Sequence, residues 1–283
     1  MQADREPTRA IGTLLVESNR LDFADVQEIQ AYAQKSGLRF GDAAIRLNFV
    51  TKEDIEFALA RQFNYTLLCH GTEGPVSDEV IAAYNPQCAT VEDLRTLRSR
   101  LMLGWLGVVG RNVLAITSSE RQEGRTWLAA NLATVFAQSG KRTLLIDADM
   151  RQPRQHELFN MDNNIGLSEA LTGRAGREIA QRVHPNLRLF VATAGRVPPN
   201  PQELLARRVF EVVLDTFAKQ FDIVIVDTPA VVDSADAEIL GARAGAALLI
   251  ARRNQTLQKR LTATMSSLVR SGVKIIGSVM TDF

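Results

Sequence analysis

Between residues 116 and 151 the chain reads ITSSERQEGRTWLAANLATVFAQSGKRTLLIDADMR: an apolar strand, a short polar loop, a helix and a second apolar strand. Few folds accept that order. The loop opens onto a helix at Gly124, Arg125 and Thr126, where backbone N–H groups and the positive helix end can hold a phosphate. The second strand, residues 143–146, delivers Asp147 and Asp149 at its C-terminal end. Two carboxylates at i and i+2 on a strand end can hold Mg2+ or take a proton. Residues 221–227, FDIVIVD, form a third apolar strand ending in a carboxylate, Asp227. One such acid alone is often only a helix cap or a loop residue. The ordered set of loop, paired acids and second acidic strand end reads as an ATP·Mg2+ site.

The loop departs from the usual pattern. G-x-x-x-x-G-K-[ST] places its first Gly at Ser119 and its Lys at Arg125, while Gly124 and Thr126 fit. Nucleotide contacts are expected from Gln122, Glu123, Gly124, Arg125, Thr126 and Trp127. Thr126 can offer its hydroxyl to Mg2+, with Asp149 and Asp227 near it. Arg125 keeps the positive charge but replaces a compact ammonium with a planar fork, which is not conservative where geometry is tight.

At 283 residues the chain can bury one large core or two domains. A formal net charge of +1 gives no bulk electrostatic case for nucleic acid or an anionic membrane. The two cysteines, Cys69 and Cys88, lack metal-site spacing and read as reduced structural thiols. The polar N-terminus has no apolar signal core. The apolar run at residues 101–110, LMLGWLGVVG, is too short to span a bilayer. It could touch a membrane or partner, and the reading favoured here is a buried, hairpin-like segment. The protein is expected to be cytoplasmic.

Residues 1–68 lack strand–helix alternation and contain a helical repeat. Gly12 and Gly41 start its units at an offset of 29 residues, and at that offset Asn19 meets Asn48, Leu21 meets Val50, and Asp25 meets Asp54. Asp22 and Thr51 are N-cap candidates, each with an acid three residues on. Two such units pack together because neither buries its apolar face alone. Residues 69–88, with several Gly and Pro, read as a linker. From residue 89 a helix leads into alternating strands and helices, with strands expected at 112–117, 143–147, 188–193, 222–227, 246–251 and 274–279. The fold class is α/β: a mostly parallel sheet flanked by helices, as in a P-loop NTPase, preceded by a small helical domain.

From about residue 88 onward the chain resembles the bacterial tyrosine kinases that control polysaccharide chain length, within the deviant-Walker P-loop family related to MinD. Four segments carry the likeness: Glu92, Arg95 and Arg98 in an E-x-x-R-x-x-R helix, the strand ending Asp147-Ala148-Asp149-Met150-Arg151, the Pro-rich run at residues 198–205, and Asp227-Thr228-Pro229. The resemblance implies an ATP- and Mg2+-dependent protein tyrosine kinase acting in exopolysaccharide synthesis, chain length or export. It also implies Asp147 as metal ligand or base, catalytic parts for Asp149 and Arg125, and Glu92, Arg95 and Arg98 pairing subunits in a ring. The partners implied are a protein tyrosine substrate and a membrane-embedded chain-length determinant, which would hold the protein peripherally at the inner membrane.

Three departures from the family stand out, and two of them, Arg125 and the missing tyrosines, favour a catalytically weak ATP-binding scaffold as the alternative. Arg121-Gln122 stands where the family carries Pro-Gly, beside the change to Arg125. The family's tyrosine-rich tail has no counterpart, since the only tyrosines are Tyr32, Tyr65 and Tyr84. Of these, Tyr84, in the expected linker, is the one plausible acceptor. The N-terminal repeat resembles the small domain at the front of type II secretion ATPases, some of which bind cyclic di-GMP. That likeness points to Arg9, Gly12, Arg39, Gly41 and Gln62 as a site gating the machinery, or to a protein-docking module.

Overall fold

The computed structural model describes residues 10–62, 68 and 76–282. The chain forms two compact units, residues 1–67 and 68–283.

Among its described residues the first unit contains four helices: α1 (Ile11–Glu17), α2 (Phe23–Ser36), α3 (Phe40–Arg46) and α4 (Lys52–Gln62). Its core is the sequence repeat made solid. Leu14, Leu15, Leu21 and Ile29 are buried, and so are their equivalents 29 residues on, Ala43, Ala44, Val50 and Ala58. Both motif glycines serve close packing. A Cβ on Gly12 would lie 3.1 Å from the Val26 side chain, and one on Gly41 would lie 3.1 Å from the equivalent Ile55. Asn19 and Asn48 turn the chain in the left-handed region, at φ 55° and 59°, which Asn tolerates better than most residues. The caps form as expected. The Asp25 carboxylate accepts the Asp22 N–H at 2.9 Å, and the Asp54 carboxylate accepts the Thr51 N–H at 2.9 Å.

The second unit opens with α5 (Ile81–Tyr84) and α6 (Ala89–Leu101). Residues 76–88 are not a linker. Val76, Val80, Ala82 and Ala83 are buried in the main core, and the segment is tied to the helix that follows the loop, α7 (Arg125–Gln138). Asn131 accepts the Ala82 N–H at 3.0 Å and donates to the Glu79 carbonyl at 3.0 Å, while Gln138 donates to the Ala82 carbonyl at 2.7 Å. Two amides buried in α7 thus find partners in this backbone, as buried polar groups must. Tyr84 is held as well. It packs half-buried against the core and its hydroxyl donates to the Val76 carbonyl, so it is no flexible acceptor. Residues 101–110 also correct the expectation. Only Leu101 and Leu106 are buried; Leu103, within a π-helical turn at Met102–Leu106, is 88% exposed, and Val109, beyond it, fully so.

The sheet comprises β1 (Val113–Ser118), β2 (Thr143–Asp147), β3 (Ala180–Arg182), β4 (Leu189–Ala192), β5 (Ile223–Asp227), β6 (Ala246–Arg252) and β7 (Lys274–Thr281), in the order β3-β4-β2-β5-β1-β6-β7. All pairs are parallel except β3 with β4. The central strands are buried on both faces, as their continuous apolar runs predict. Besides α7, the connections carry α8 (Gln155–Leu158), α9 (Leu167–Leu171), α10 (Pro201–Ala206), α11 (Arg208–Ala218), α12 (Asp236–Ala244) and α13 (Gln258–Arg270). Three adjacent strands, β2, β5 and β1, end together, with Asp147 paired to Asp227 and Ile116 to Asp227. The loop, the acid pair and the second acid therefore meet at one carboxyl edge, where α/β sheets bind ligands.

Candidate nucleotide site

The phosphate-type loop, residues 119–124, is held by side chains. Gln122 sits at φ 61° and Gly124 at φ 93°, so the left-handed turn survives without a glycine at its first position. Glu123 is fully buried. Its carboxylate accepts the Glu120 N–H at 3.0 Å and the Thr256 hydroxyl, and its carbonyl accepts the Thr281 hydroxyl at 2.9 Å. Glu123 therefore braces the loop from within.

Arg125 is buried beneath the same loop. Its Nε donates to the Thr228 carbonyl at 2.9 Å, and its Nη1 donates to the Ser118 hydroxyl and, at 2.8 Å, to the Glu120 carbonyl. Nη2 lies 3.9 Å from the Asp149 carboxylate. Most of the fork is thus spent on the protein, and Nη2 is the edge turned toward the acids.

The three acids differ in their surroundings. Asp147 is fully buried; it accepts the N–H groups of Asp149, Arg154 and Gln155 at 3.2, 3.0 and 2.9 Å. Burial first and the neighbouring Asp227 second push its pKa well above the usual carboxylate range, against those backbone donors. Asp149 accepts the N–H groups of Arg151 and Gln152 at 3.2 and 3.0 Å and is raised by burial. Asp227 accepts Gln155 Nε2 at 2.8 Å and the Thr126 hydroxyl, and burial pushes it up to about 6. Its second oxygen, Oδ1, is buried with no partner.

That orphaned oxygen, beside the Thr126 hydroxyl, fits Mg2+. Among the described residues no three His, Cys, Asp or Glu side chains form a metal group. Mg2+ commonly takes one or two protein ligands and fills its shell with water and phosphate, which Thr126, Asp227 and Asp149 suit. A cavity of about 930 Å3 opens over Thr126 and Asp149, with Gly124, Arg125 and Trp127 also in its wall, Arg121, Arg154 and Arg252 at its rim, and Asp227 buried behind it. Its volume suits a nucleotide. The rim arginines and Gln155 escape sequence reasoning. Gln155, which also donates to the Thr126 carbonyl at 3.1 Å, sits in a one-turn helix whose sequence carries no pattern.

On α6, Glu92 and Arg95 form an exposed pair at 2.9 Å, whereas Arg98 turns inward and donates to the Val135 carbonyl in α7 at 2.9 Å. In the first unit Gly12 and Gly41 are packed against helices, Arg39 is exposed, and Arg9 lies outside the described residues. Tyr65 and Cys69 also lie outside them; Cys88 is exposed.

An AAA domain family matches residues 112–257. Tyrosine-protein kinase YwqD of Bacillus subtilis is 35% identical over 201 residues, covering 71% of this chain and 84% of YwqD. The chain belongs to the bacterial tyrosine-protein kinase family. Tyrosine-protein kinase ptk of Acinetobacter johnsonii is 35% identical over 203 residues, or 72% of this chain, but the match spans only 28% of ptk. The solved kinase domain of the Escherichia coli tyrosine kinase ETK superposes with a TM-score of 0.70 at 34% identity, covering 76% of this chain and 84% of that one. The fold is accordingly that of a P-loop NTPase with a mostly parallel sheet.

Proposed function

We propose that the chain binds ATP·Mg2+ and transfers its γ-phosphoryl group to a tyrosine of another protein, within the machinery that makes or exports an exopolysaccharide. The observation that carries this reading is the unpartnered, buried Asp227 Oδ1 behind Thr126 of a phosphate-type loop, in a chain 35% identical to a tyrosine-protein kinase over 201 residues. Backbone N–H groups of residues 122–126 cradle the phosphates and the start of α7 favours their charge. Bound Mg2+ would neutralise phosphate charge, held by Thr126 and by waters on Asp227 and Asp149. Asp149, which lines the cavity, would take the tyrosine proton as the new P–O bond forms and ADP leaves. Asp147, outside the cavity wall and saturated by backbone donors, is a positioning residue that shapes the turn after β2. Such transfer depends chiefly on positioning and charge neutralisation.

Tyr32 and Tyr84 pack against cores, which favours an acceptor on a separate chain. Glu92 and Arg95 remain for pairing between subunits, while the inward Arg98 is a weaker candidate. A membrane-embedded chain-length partner would place the chain peripherally at the membrane. Among the described residues no helix is long and apolar enough to cross one.

The scaffold reading has its own support: the Arg125 fork is largely engaged by Thr228, Ser118 and Glu120. Incubation with ATP·Mg2+ and a glutamate–tyrosine copolymer, followed by mass spectrometry, separates the two. Phosphotyrosine that disappears in Asp149→Asn supports the kinase. Nucleotide binding without any phosphotyrosine, with the membrane partner present, leaves the scaffold. Cyclic di-GMP gating through the first unit is tested by titrating the ligand against the full chain and Arg39→Ala.

A further inference from the structure

Residues 101–111 form a built protrusion at the end of the sheet opposite the nucleotide loop. It directly precedes β1, whose far end carries that loop. The tip is apolar and bare: Leu103 is 88% exposed, Val109 100% and Val108 45%. Its shape is fixed. The Val108 N–H donates to the Trp105 carbonyl at 3.3 Å and the Arg111 N–H to the Val108 carbonyl at 3.0 Å. A Cβ on Gly107 would lie 2.1 Å from the Met102 carbonyl oxygen, so only glycine closes this turn.

Cations collar the tip. The Arg111 guanidinium lies 4.5 Å from the Trp105 ring centroid and the Lys274 ammonium 5.1 Å from it. Beside Trp105 a cavity of about 390 Å3, with Leu97, Leu101 and Leu248 in its wall, is edged by Arg100 and Lys274. No Asp or Glu occurs from residue 94 to residue 119. The net charge of +1 conceals this local asymmetry. An apolar tip, a tryptophan at its base and a basic collar match the boundary between acyl chains and anionic headgroups.

We propose that this protrusion docks the chain directly on an anionic phospholipid surface, with Leu103, Val108 and Val109 entering the acyl boundary and Arg100, Arg111 and Lys274 meeting headgroup phosphates. The nucleotide cavity, at the other end of the strands, stays open to solvent in that pose. The contact requires neither phosphoryl transfer nor a protein partner.

The test is flotation of the full chain with phosphatidylcholine vesicles, with and without phosphatidylglycerol. Binding is expected only with phosphatidylglycerol, and is expected to weaken as salt rises. Leu103→Asp with Val109→Asp should abolish it, and Arg100→Gln or Lys274→Gln should each weaken it about fivefold. Unchanged circular dichroism and nucleotide binding in these variants show that the fold is intact, as the exposure of Leu103 and Val109 predicts. No flotation, or flotation equal in the double variant and the parent, overturns the proposal. So does a parent that self-associates in light scattering and turns monomeric in the double variant without any vesicle effect, because the tip then meets a second copy.

Discussion

Replacing Asp227 with Asn should stabilise the protein while removing the Mg2+ dependence of nucleotide binding. Asp227 is fully buried and one oxygen has no partner. Burial raises its pKa from 3.8 to about 6, with the Arg125 charge, Gln155 and Thr126 opposing and Asp149 adding to the rise. The folded chain therefore holds this proton more tightly than the unfolded chain. The penalty is absent below the unfolded value, grows as pH rises from 3.8 to about 6, and is full above that range. At ~1.36 kcal/mol per pKa unit it amounts to about 3 kcal/mol near neutral pH. The Asn variant escapes it and also relieves Asp147 of a neighbouring negative charge. Its gain over the parent should be roughly 1–3 kcal/mol at neutral pH, allowing for imperfect amide hydrogen bonding, and should shrink as pH falls below about 6, toward zero near 3.8. The assay is urea unfolding followed by fluorescence across that range, with calorimetry of ADP with and without Mg2+. An Asn variant less stable than the parent at neutral pH, or a stability difference that does not move with pH, would refute the assignment of strain to this carboxylate. Retained Mg2+ dependence would refute its place at the metal.

Three further substitutions probe the frame around the site. Asn131→Leu should cost about 1–3 kcal/mol in urea unfolding, because the Ala82 N–H and the Glu79 carbonyl lose their partner inside a packed interface. Gln122→Gly should raise stability by roughly 1 kcal/mol, since Gln122 holds φ 61° at a steric penalty glycine does not bear; an unchanged or lowered unfolding midpoint would show that other contacts of Gln122 outweigh the strain. Gly41→Ala should destabilise the first unit by about 1–3 kcal/mol, as its new methyl would press on Ile55 at 3.1 Å, and helical circular dichroism during thermal unfolding reads the loss.

The strands that carry the site were legible because each is a continuous apolar run closed by an acid, a pattern that burial on both sheet faces produces directly. β3 was not, because three residues on an antiparallel edge, one half-buried and two exposed, leave no periodicity to detect. Residues 76–88 resemble a linker in composition. What fixes them is a pair of amides, Asn131 and Gln138, on a helix about fifty residues later, and no local pattern announces that. The error at residues 101–110 has another origin. Hydropathy measures how much a segment gains from burial, not whether the fold offers it a partner, and Leu103 and Val109 have none within the described chain. Asp147, Asp149 and Asp227 were placed at the right edge from sequence alone. Which oxygen stays unpartnered depends on Gln155, which no motif marks.

The unusual loop has a coherent physical basis. A glycine-rich loop can gain much of its order when phosphate binds. Here order is supplied beforehand: Glu123 from inside, Thr256 and Thr281 from the turns beyond β6 and at the end of β7, and Arg125 across Ser118, Glu120 and Thr228. A preorganised loop loses less entropy on binding, so nucleotide affinity need not suffer from the missing glycines. The same bonds leave Arg125 little freedom to follow charge as it moves onto the leaving oxygen, and that is where most of the barrier reduction in phosphoryl transfer arises. Binding and transfer are therefore separable here in a way they are not when a flexible lysine serves both. Arg121, Arg154 and Arg252 line the same cavity, but each is already engaged, by Asp233, by Glu79 and by the Gln122 carbonyl, so charge neutralisation during transfer falls chiefly to Mg2+ and the loop N–H groups.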